Sequence, residues 1–406
     1  MGIKKQSDSF SGFLMYETAG KTFKDLALDI NFWRHLNPEL TLTEYSRSDW
    51  GPYKLSAQEK KEIRESLIEE GYFHLNSVFA PEELKKLADA VEVLHREQWP
   101  TVFAFVYDEF WHIQNRYREI LTTLLGKDHK LMPNIWVLYI NPDIDSKGWE
   151  PHRDRQKIVN LRPDGTPLSI NLWTPLTDAS PLNGCMYALP AHRDNNYWTN
   201  PNLTTVDDLQ DIRALPAPVG SVLGWNETVF HWGARASKRA SEPRIAIASV
   251  FQSTECGAFE TPLLPVGQLI PFKMRVGLIA QQFSRFIVQN SFSPAVEKLT
   301  YELAPFFNEN VRILDDGWRY WDIITDEVDS PRQTIEKTAS NQLPTPPKGF
   351  EKGRSFKSTY EEIRQANNDA DGNDERGEPG KIEAHSAKDA DDKSETKGWL
   401  EKLGLK

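Results

Sequence analysis

Between residues 150 and 244 the chain carries an arrangement that few folds can satisfy. It opens with Glu150-Pro151-His152-Arg153-Asp154-Arg155, continues far downstream with Phe230-His231-Trp232, and closes with Pro243-Arg244-Ile245-Ala246. His152 and Asp154 lie one residue apart, so on an extended segment their side chains point the same way. A third ligand, His231, then comes from a distant strand. Two imidazoles and one carboxylate on one face of Fe(II) leave three adjacent positions open. A chelating 2-oxo acid such as 2-oxoglutarate takes two of them and O2 the third. Arg244 offers the planar, permanently charged fork that matches the far carboxylate of such an acid.

The His-x-Asp pair alone is weak support. With nine histidines in the chain, chance yields roughly 0.6 such pairs, and there are two. The second, His192-Arg193-Asp194, ends 37 residues before His231, too short a span for several strands spaced by about 8 to 12 residues. It follows Ala188-Leu189-Pro190-Ala191, where a strand ends and a polar loop begins, so it reads as a solvated loop. Arg235 and Arg239 compete with Arg244 but fall in a polar turn, whereas Arg244 opens the strand Arg244-Ile245-Ala246-Ile247-Ala248-Ser249-Val250.

Four segments make the chain similar to the phytanoyl-CoA dioxygenase family of Fe(II)/2-oxoglutarate oxygenases. They are Glu70-Gly71-Tyr72-Phe73 with Val78 to Leu84, Trp149 to Asp154, Asn183-Gly184-Cys185-Met186 through His192, and Val219-Gly220-Ser221-Val222 with His231 and Arg244. The resemblance covers about residues 56–255. It departs in the slightly long spacing from His231 to Arg244. It implies a mainly β fold with flanking helices, a double-stranded β-helix of the jelly-roll, cupin-like kind. It also implies that Trp173 lies against the cosubstrate, with Asn171 on the same strand face, although an ordinary interior aromatic fits Trp173 nearly as well.

Bulk properties bound the partners. A net charge of −11 argues against nucleic acid, whose phosphates need a basic surface. Two cysteines, Cys185 and Cys256, are too few for a disulfide framework. Cys185 has no activating base beside it in sequence and reads as a buried small residue. No apolar run reaches the length of a membrane span or a signal peptide, so the expectation is a cytoplasmic protein acting on a small-molecule substrate of unknown class.

Along the chain, residues 1–55 form an aromatic-rich N-terminal extension. The oxygenase domain spans 56–260. A capping box at Ser56 and Glu59 starts one helix and Pro81 opens another; residues 72–75, 134–140, 168–174, 185–189, 219–225, 228–232 and 244–250 read as strands. Trp111, His112 and Tyr117 read as packing residues. The polar insertion 193–216 is placed at the substrate entrance, and Ala246 and Ala248 leave room beside the metal. Residues 261–330 form a helical extension, with Trp318, Tyr320 and Trp321, that packs on the barrel or makes a homodimer surface. Residues 331–406 are polar, dense in charge and expected to be disordered.

The reaction implied by the resemblance is hydroxylation of an unactivated C–H bond, with release of succinate and CO2. Asp154 fills the position that a halide would need, which disfavours halogenation. Two other classes stay open: a cupin-type divalent-metal lyase or isomerase that does not use 2-oxoglutarate, and a non-catalytic barrel binding protein.

Overall fold

The computed structural model describes residues 20–43, 50–143, 146–155, 161–162, 164–198, 203–286, 299 and 302–303. Trp318, Tyr320, Trp321 and the polar tail lie outside them, as does nearly all of the helical stretch expected over 294–328.

Local sequence rules set the helices that lead into the sheet. Helices α1 (Phe23–Ala27) and α2 (Ile30–Leu36) precede α3 (Ala57–Glu69). Ser56 Oγ accepts from the Glu59 amide at 3.1 Å and Glu59 returns the bond to the Ser56 amide at 2.7 Å, the reciprocal cap expected of this spacing. Gly71, at φ +80°, turns the chain into β1 (Tyr72–Leu75), and Pro81 stands at the first turn of α4 (Pro81–Arg96). Helices α5 (Asp108–Arg116) and α6 (Arg118–Leu125) follow a 3₁₀ turn over Thr101–Val106. Trp111, His112 and Tyr117 are all buried there, as packing residues should be.

Seven further strands build two antiparallel sheets. They are β2 (His129–Ile140), β3 (Ser169–Pro175), β4 (Met186–Leu189), β5 (Arg213–Leu215), β6 (Val222–Asn226), β7 (Phe230–Gly233) and β8 (Arg244–Ser253). One sheet runs β1-β6-β3-β8-β2 and the other β5-β4-β7. The final described helix is α7 (Phe272–Phe286).

Strand alternation sorts the core into two. β8 is buried at every position, because Ile245, Ile247 and Phe251 face one hydrophobic cluster while Ala246 and Ala248 face another. On the neighbouring strands Ile170, Leu172, Ile135 and Val137 join the first cluster; Trp173, Leu223 and Trp225 join the second. The first cluster is the helical side. The second is shared with Cys185, Met186 and Ala188 beside and on β4, and so lies between the sheets.

Two expectations need correcting. The helices do more than flank a mainly β domain: α4, α5, α6 and α7 contribute much of the larger cluster, so the architecture is mixed α/β. The ladder hydrogen bonds among the described residues also leave the two sheets separate instead of closing a barrel. β1 and β2 remain edge strands of the large sheet, and the two sheets meet through the side chains of the second cluster.

Residues 20–43 are part of this packing. Trp33 is fully buried, stacks on Phe103 with ring centroids 5.3 Å apart and donates its indole N–H to the Ala27 carbonyl at 3.0 Å. Asp108 accepts from the Thr43 amide at 3.0 Å and pairs with the buried Arg275 at 2.6 Å. Replacing a buried indole by a methyl group leaves a cavity the surroundings only partly fill. Trp33→Ala is therefore expected to lower unfolding stability by about 3–5 kcal/mol in urea denaturation; a loss below about 1 kcal/mol would show that this segment does not share the domain core.

Candidate metal centre

His152, Asp154 and His231 converge, with one potential ligand atom from each lying within 4.8 Å of the others. The convergence begins in the backbone. His152 and His231 exchange two antiparallel hydrogen bonds of 3.0 Å, N–H to carbonyl in both directions. Gly148 permits this approach, since a Cβ there would fall 2.1 Å from the Gly233 carbonyl oxygen. The imidazole rings stand with centroids 4.5 Å apart.

Each imidazole is aimed by its other nitrogen. His152 Nδ1 lies 2.7 Å from the Glu150 carbonyl and His231 Nδ1 lies 2.9 Å from the Val229 carbonyl. A carbonyl only accepts, so Nδ1 carries the hydrogen and Nε2 presents its lone pair to the site. Asp154 divides its labour by oxygen atom. Oδ1 faces His152 Nε2 at 3.2 Å and His231 Nε2 at 3.7 Å, whereas Oδ2 accepts from Trp225 Nε1 at 3.0 Å and Asn171 Nδ2 at 3.4 Å. One oxygen is thereby left for a cation.

Burial grades the three. The side chains of His152, Asp154 and His231 are 26%, 19% and 5% exposed, so the site opens on the His152 and Asp154 side. Trp149 lies there, its ring 6.2 Å from His152 and edge to face with Trp136 at 5.1 Å. Burial pushes the His231 imidazole down to about 4, only partly opposed by the Asp154 charge. Burial also acts against charging His152, but its hydrogen bond to Asp154 and that carboxylate's charge outweigh it and hold the imidazole above its usual value. Burial alone would raise the Asp154 carboxyl; the histidines and Trp225 override it and hold the carboxyl below the usual range.

Arg244 stands apart from this cluster but close to it. Its guanidinium lies 3.3 Å from where a Gly233 Cβ would be, and Gly233 is two residues from His231 on β7, about 6.6 Å along the strand. It is 1% exposed, donates to Met186 Sδ at 3.6 Å, and sits 5.7 Å from the Trp173 ring. Its Nε and the Trp173 Nε1 are buried with no partner among the described residues. Burial pushes the Arg244 guanidinium down to about 10. A buried cation without a carboxylate is costly, and this cradle suits an anionic ligand. Trp173 accordingly stands beside Arg244, whereas Asn171 contacts Asp154.

The second His-x-Asp pair corrects an expectation. His192 is partly exposed, near Glu70, but Asp194 is fully buried and pairs with Arg153 at 2.6 Å. Asp194 is a buried anchor, not part of a solvated loop, because Arg153 points away from His152 and Asp154 and needs a counter-charge. Sequence reasoning also missed Trp225. Only the pairing of Trp225 with Asn171 across β6 and β3 puts both donors on Asp154. Cys185 is buried as expected, and burial pushes its thiol up.

Because the His152 proton must leave before Nε2 can bind a cation, metal affinity is expected to fall about tenfold per pH unit below the His152 pKa and to be flat above it. His231, neutral down to about 4, does not contribute in that window. Titrating the metal-free protein with Co(II) from about pH 5.5 to 8 checks this, and an unchanging affinity would contradict ligation by His152. Gly148→Ala is expected to weaken Co(II) binding by pushing residues 148–152 off β7.

Residues 104–242 match the family model described as Phytanoyl-CoA dioxygenase (PhyH). No curated protein matches the chain. Among solved structures, the non-heme alpha ketoglutarate dependent epimerase SnoN from nogalamycin biosynthesis is 17% identical; the match covers 49% of this chain and 82% of that one, with a TM-score of 0.39. HygX from Streptomyces hygroscopicus, with nickel and 2-oxoglutarate bound, is 16% identical over 50% of this chain and 88% of its own, with a TM-score of 0.39. The non-heme alpha ketoglutarate dependent carbocyclase SnoK, also from nogalamycin biosynthesis, is 19% identical over 50% and 87%, with a TM-score of 0.35. Over the stretch that holds His152, Asp154 and His231, the chain carries the sequence pattern of the phytanoyl-CoA dioxygenase family, as its motifs imply.

Proposed function

We propose that the protein is an Fe(II)- and 2-oxoglutarate-dependent dioxygenase that hydroxylates an unactivated C–H bond of a small molecule, with release of succinate and CO2. The observation that carries this reading is the buried Arg244 guanidinium, without an anionic partner among the described residues, one strand step beyond His231. A metal-dependent lyase or isomerase needs the triad but does not by itself require a second, buried cation, whereas the far carboxylate of 2-oxoglutarate does call for one. The family match over 104–242 supports the same choice, and the two facing sheets are read as an open form of the double-stranded β-helix.

When bound, ferrous iron with a chelated 2-oxo acid and O2 supplies the oxidising power for C–H cleavage while the acid becomes succinate and CO2. The chain's own groups prepare the site. His152 and His231 hold neutral Nε2 atoms in fixed tautomers. Asp154 offers Oδ1 while Trp225 and Asn171 tie down Oδ2, which favours one-point attachment and leaves more of the ion free for other ligands. Arg244 anchors the far carboxylate with paired N–H donors, and the orphan Trp173 indole N–H adds a donor beside it. Ala246 and Ala248 keep the sheet face low. Trp149 and Trp136 border the open side, so the substrate presents an apolar face next to His152. The insertion 193–216 is the proposed rim of the entrance.

Anaerobic titration of the metal-free protein with Fe(II) and 2-oxoglutarate tests the reading, by the visible charge-transfer band that forms when a 2-oxo acid chelates ferrous iron. The expected result is a saturable band, lost in His231→Ala and requiring roughly 10- to 100-fold more 2-oxoglutarate in Arg244→Ala, since a charged hydrogen bond is worth about 1.5–3 kcal/mol. Iron binding without the band would indicate a metalloprotein that does not use 2-oxoglutarate. Absence of metal binding would leave a non-catalytic binding protein.

A further inference from the structure

Resting on the reading that the triad holds a metal, we propose that Arg153 is a positioning residue that couples metal occupancy to the order of residues 194–198 and 203–205. Arg153 lies between two candidate ligands, and alternation sends its side chain away from theirs. Its guanidinium is fully buried. Nη1 donates to Asp194 Oδ2 at 2.6 Å and to the Thr228 carbonyl at 2.8 Å. Nε and Nη2 donate to the Leu203 carbonyl at 3.3 and 3.1 Å. The same group lies 5.4 Å over the Phe230 ring.

These contacts reach three separate pieces of chain. Thr228 and Phe230 lead directly into His231, so one planar cation braces the backs of both ligand-bearing segments. Asp194 and Leu203 belong to the polar insertion. Asp194 is fully committed, since its Oδ1 also accepts from the Asn196 amide at 2.9 Å. Three residues beyond Asp194, the buried Tyr197 hydroxyl accepts from Asn226 Nδ2 at 2.6 Å. Lysine could not span this set, because a single ammonium cannot donate in a fixed plane to acceptors on three segments.

The functional consequence follows from linkage. If the order of residues 194–198 and 203–205 steadies the ligands through Arg153, then metal binding must steady those residues by the same factor. An ion pair that merely holds a loop down would be indifferent to metal. The segment behind the two ligand-bearing stretches would thus be steadied by the metal's arrival, so that its order and metal retention are not independent.

Amide hydrogen exchange on the full-length protein, with and without anaerobic Fe(II), tests the coupling. Residues 194–198 and 203–205 are expected to exchange about tenfold more slowly with Fe(II), and helix α4 to stay unchanged. Asp194→Asn, which removes the counter-charge of Arg153, is expected to weaken Fe(II) binding roughly 10- to 100-fold, as loss of an outer support typically does, and to abolish the metal-dependent protection. Saturable Fe(II) binding with no change in exchange at these amides would overturn the coupling and leave the triad standing. Fe(II) affinity in Asp194→Asn equal to that of the unmodified protein would do the same, whereas failure of the unmodified protein to bind Fe(II) would overturn both. The exchange measurement on the unmodified protein decides the matter even if the variant does not fold.

Discussion

Two hydrogen bonds of 3.0 Å, exchanged between the backbones of His152 and His231, determine whether the rest of the site can exist. They are isolated from the named ladders and join a loop to a strand far along the chain. Without them neither the 4.5 Å separation of the imidazoles nor the shared contacts of Asp154 with both rings could arise. Gly148 and Gly233 make the approach sterically available, and Arg153 braces it from behind. The donor set is held by backbone geometry first and by side chains second.

The surroundings of the site separate charges that are satisfied from charges that are not. Arg153 with Asp194, Arg155 with Glu227, and Arg275 with Asp108 are buried or nearly buried pairs whose charges cancel locally. Removing one member of such a pair leaves the other stranded, at about 3–5 kcal/mol. Among the described residues Arg244 has no such partner. There its desolvation is compensated by a sulfur atom and an aromatic face, both weak substitutes for a carboxylate. Such a charge gains from an anion placed beside it, and the location of the guanidinium next to β7 puts that gain close to the triad.

The large sheet serves both purposes through strand alternation. Its helical face carries the bulky residues Ile245, Ile247, Leu172 and Val137, which join the larger hydrophobic cluster. Its other face carries alanines beside Trp173 and Trp225, leaving space and hydrogen-bond donors beside the candidate metal centre. Core packing and site construction therefore use alternate residues of the same strands, and a one-residue register slip would exchange them.

The sequence alone marked the candidate ligand set. His152 and Asp154 stand out through period-two spacing, His231 through its place in the family-like pattern, and Arg244 through its position at the head of an apolar strand. The helix starts at Ser56 and Pro81 were legible for the same reason: caps and periodicity are local, short-range effects. What needed the tertiary structure was everything set by contact between remote segments. Trp225 reaches Asp154 only because β6 pairs with β3 in one register. Asp194 looks solvated until Arg153, 41 residues earlier, is seen to require it. The separation of the strands into two unclosed sheets, and the weight of the helical layer, follow from side-chain packing across the whole domain, which no local pattern encodes.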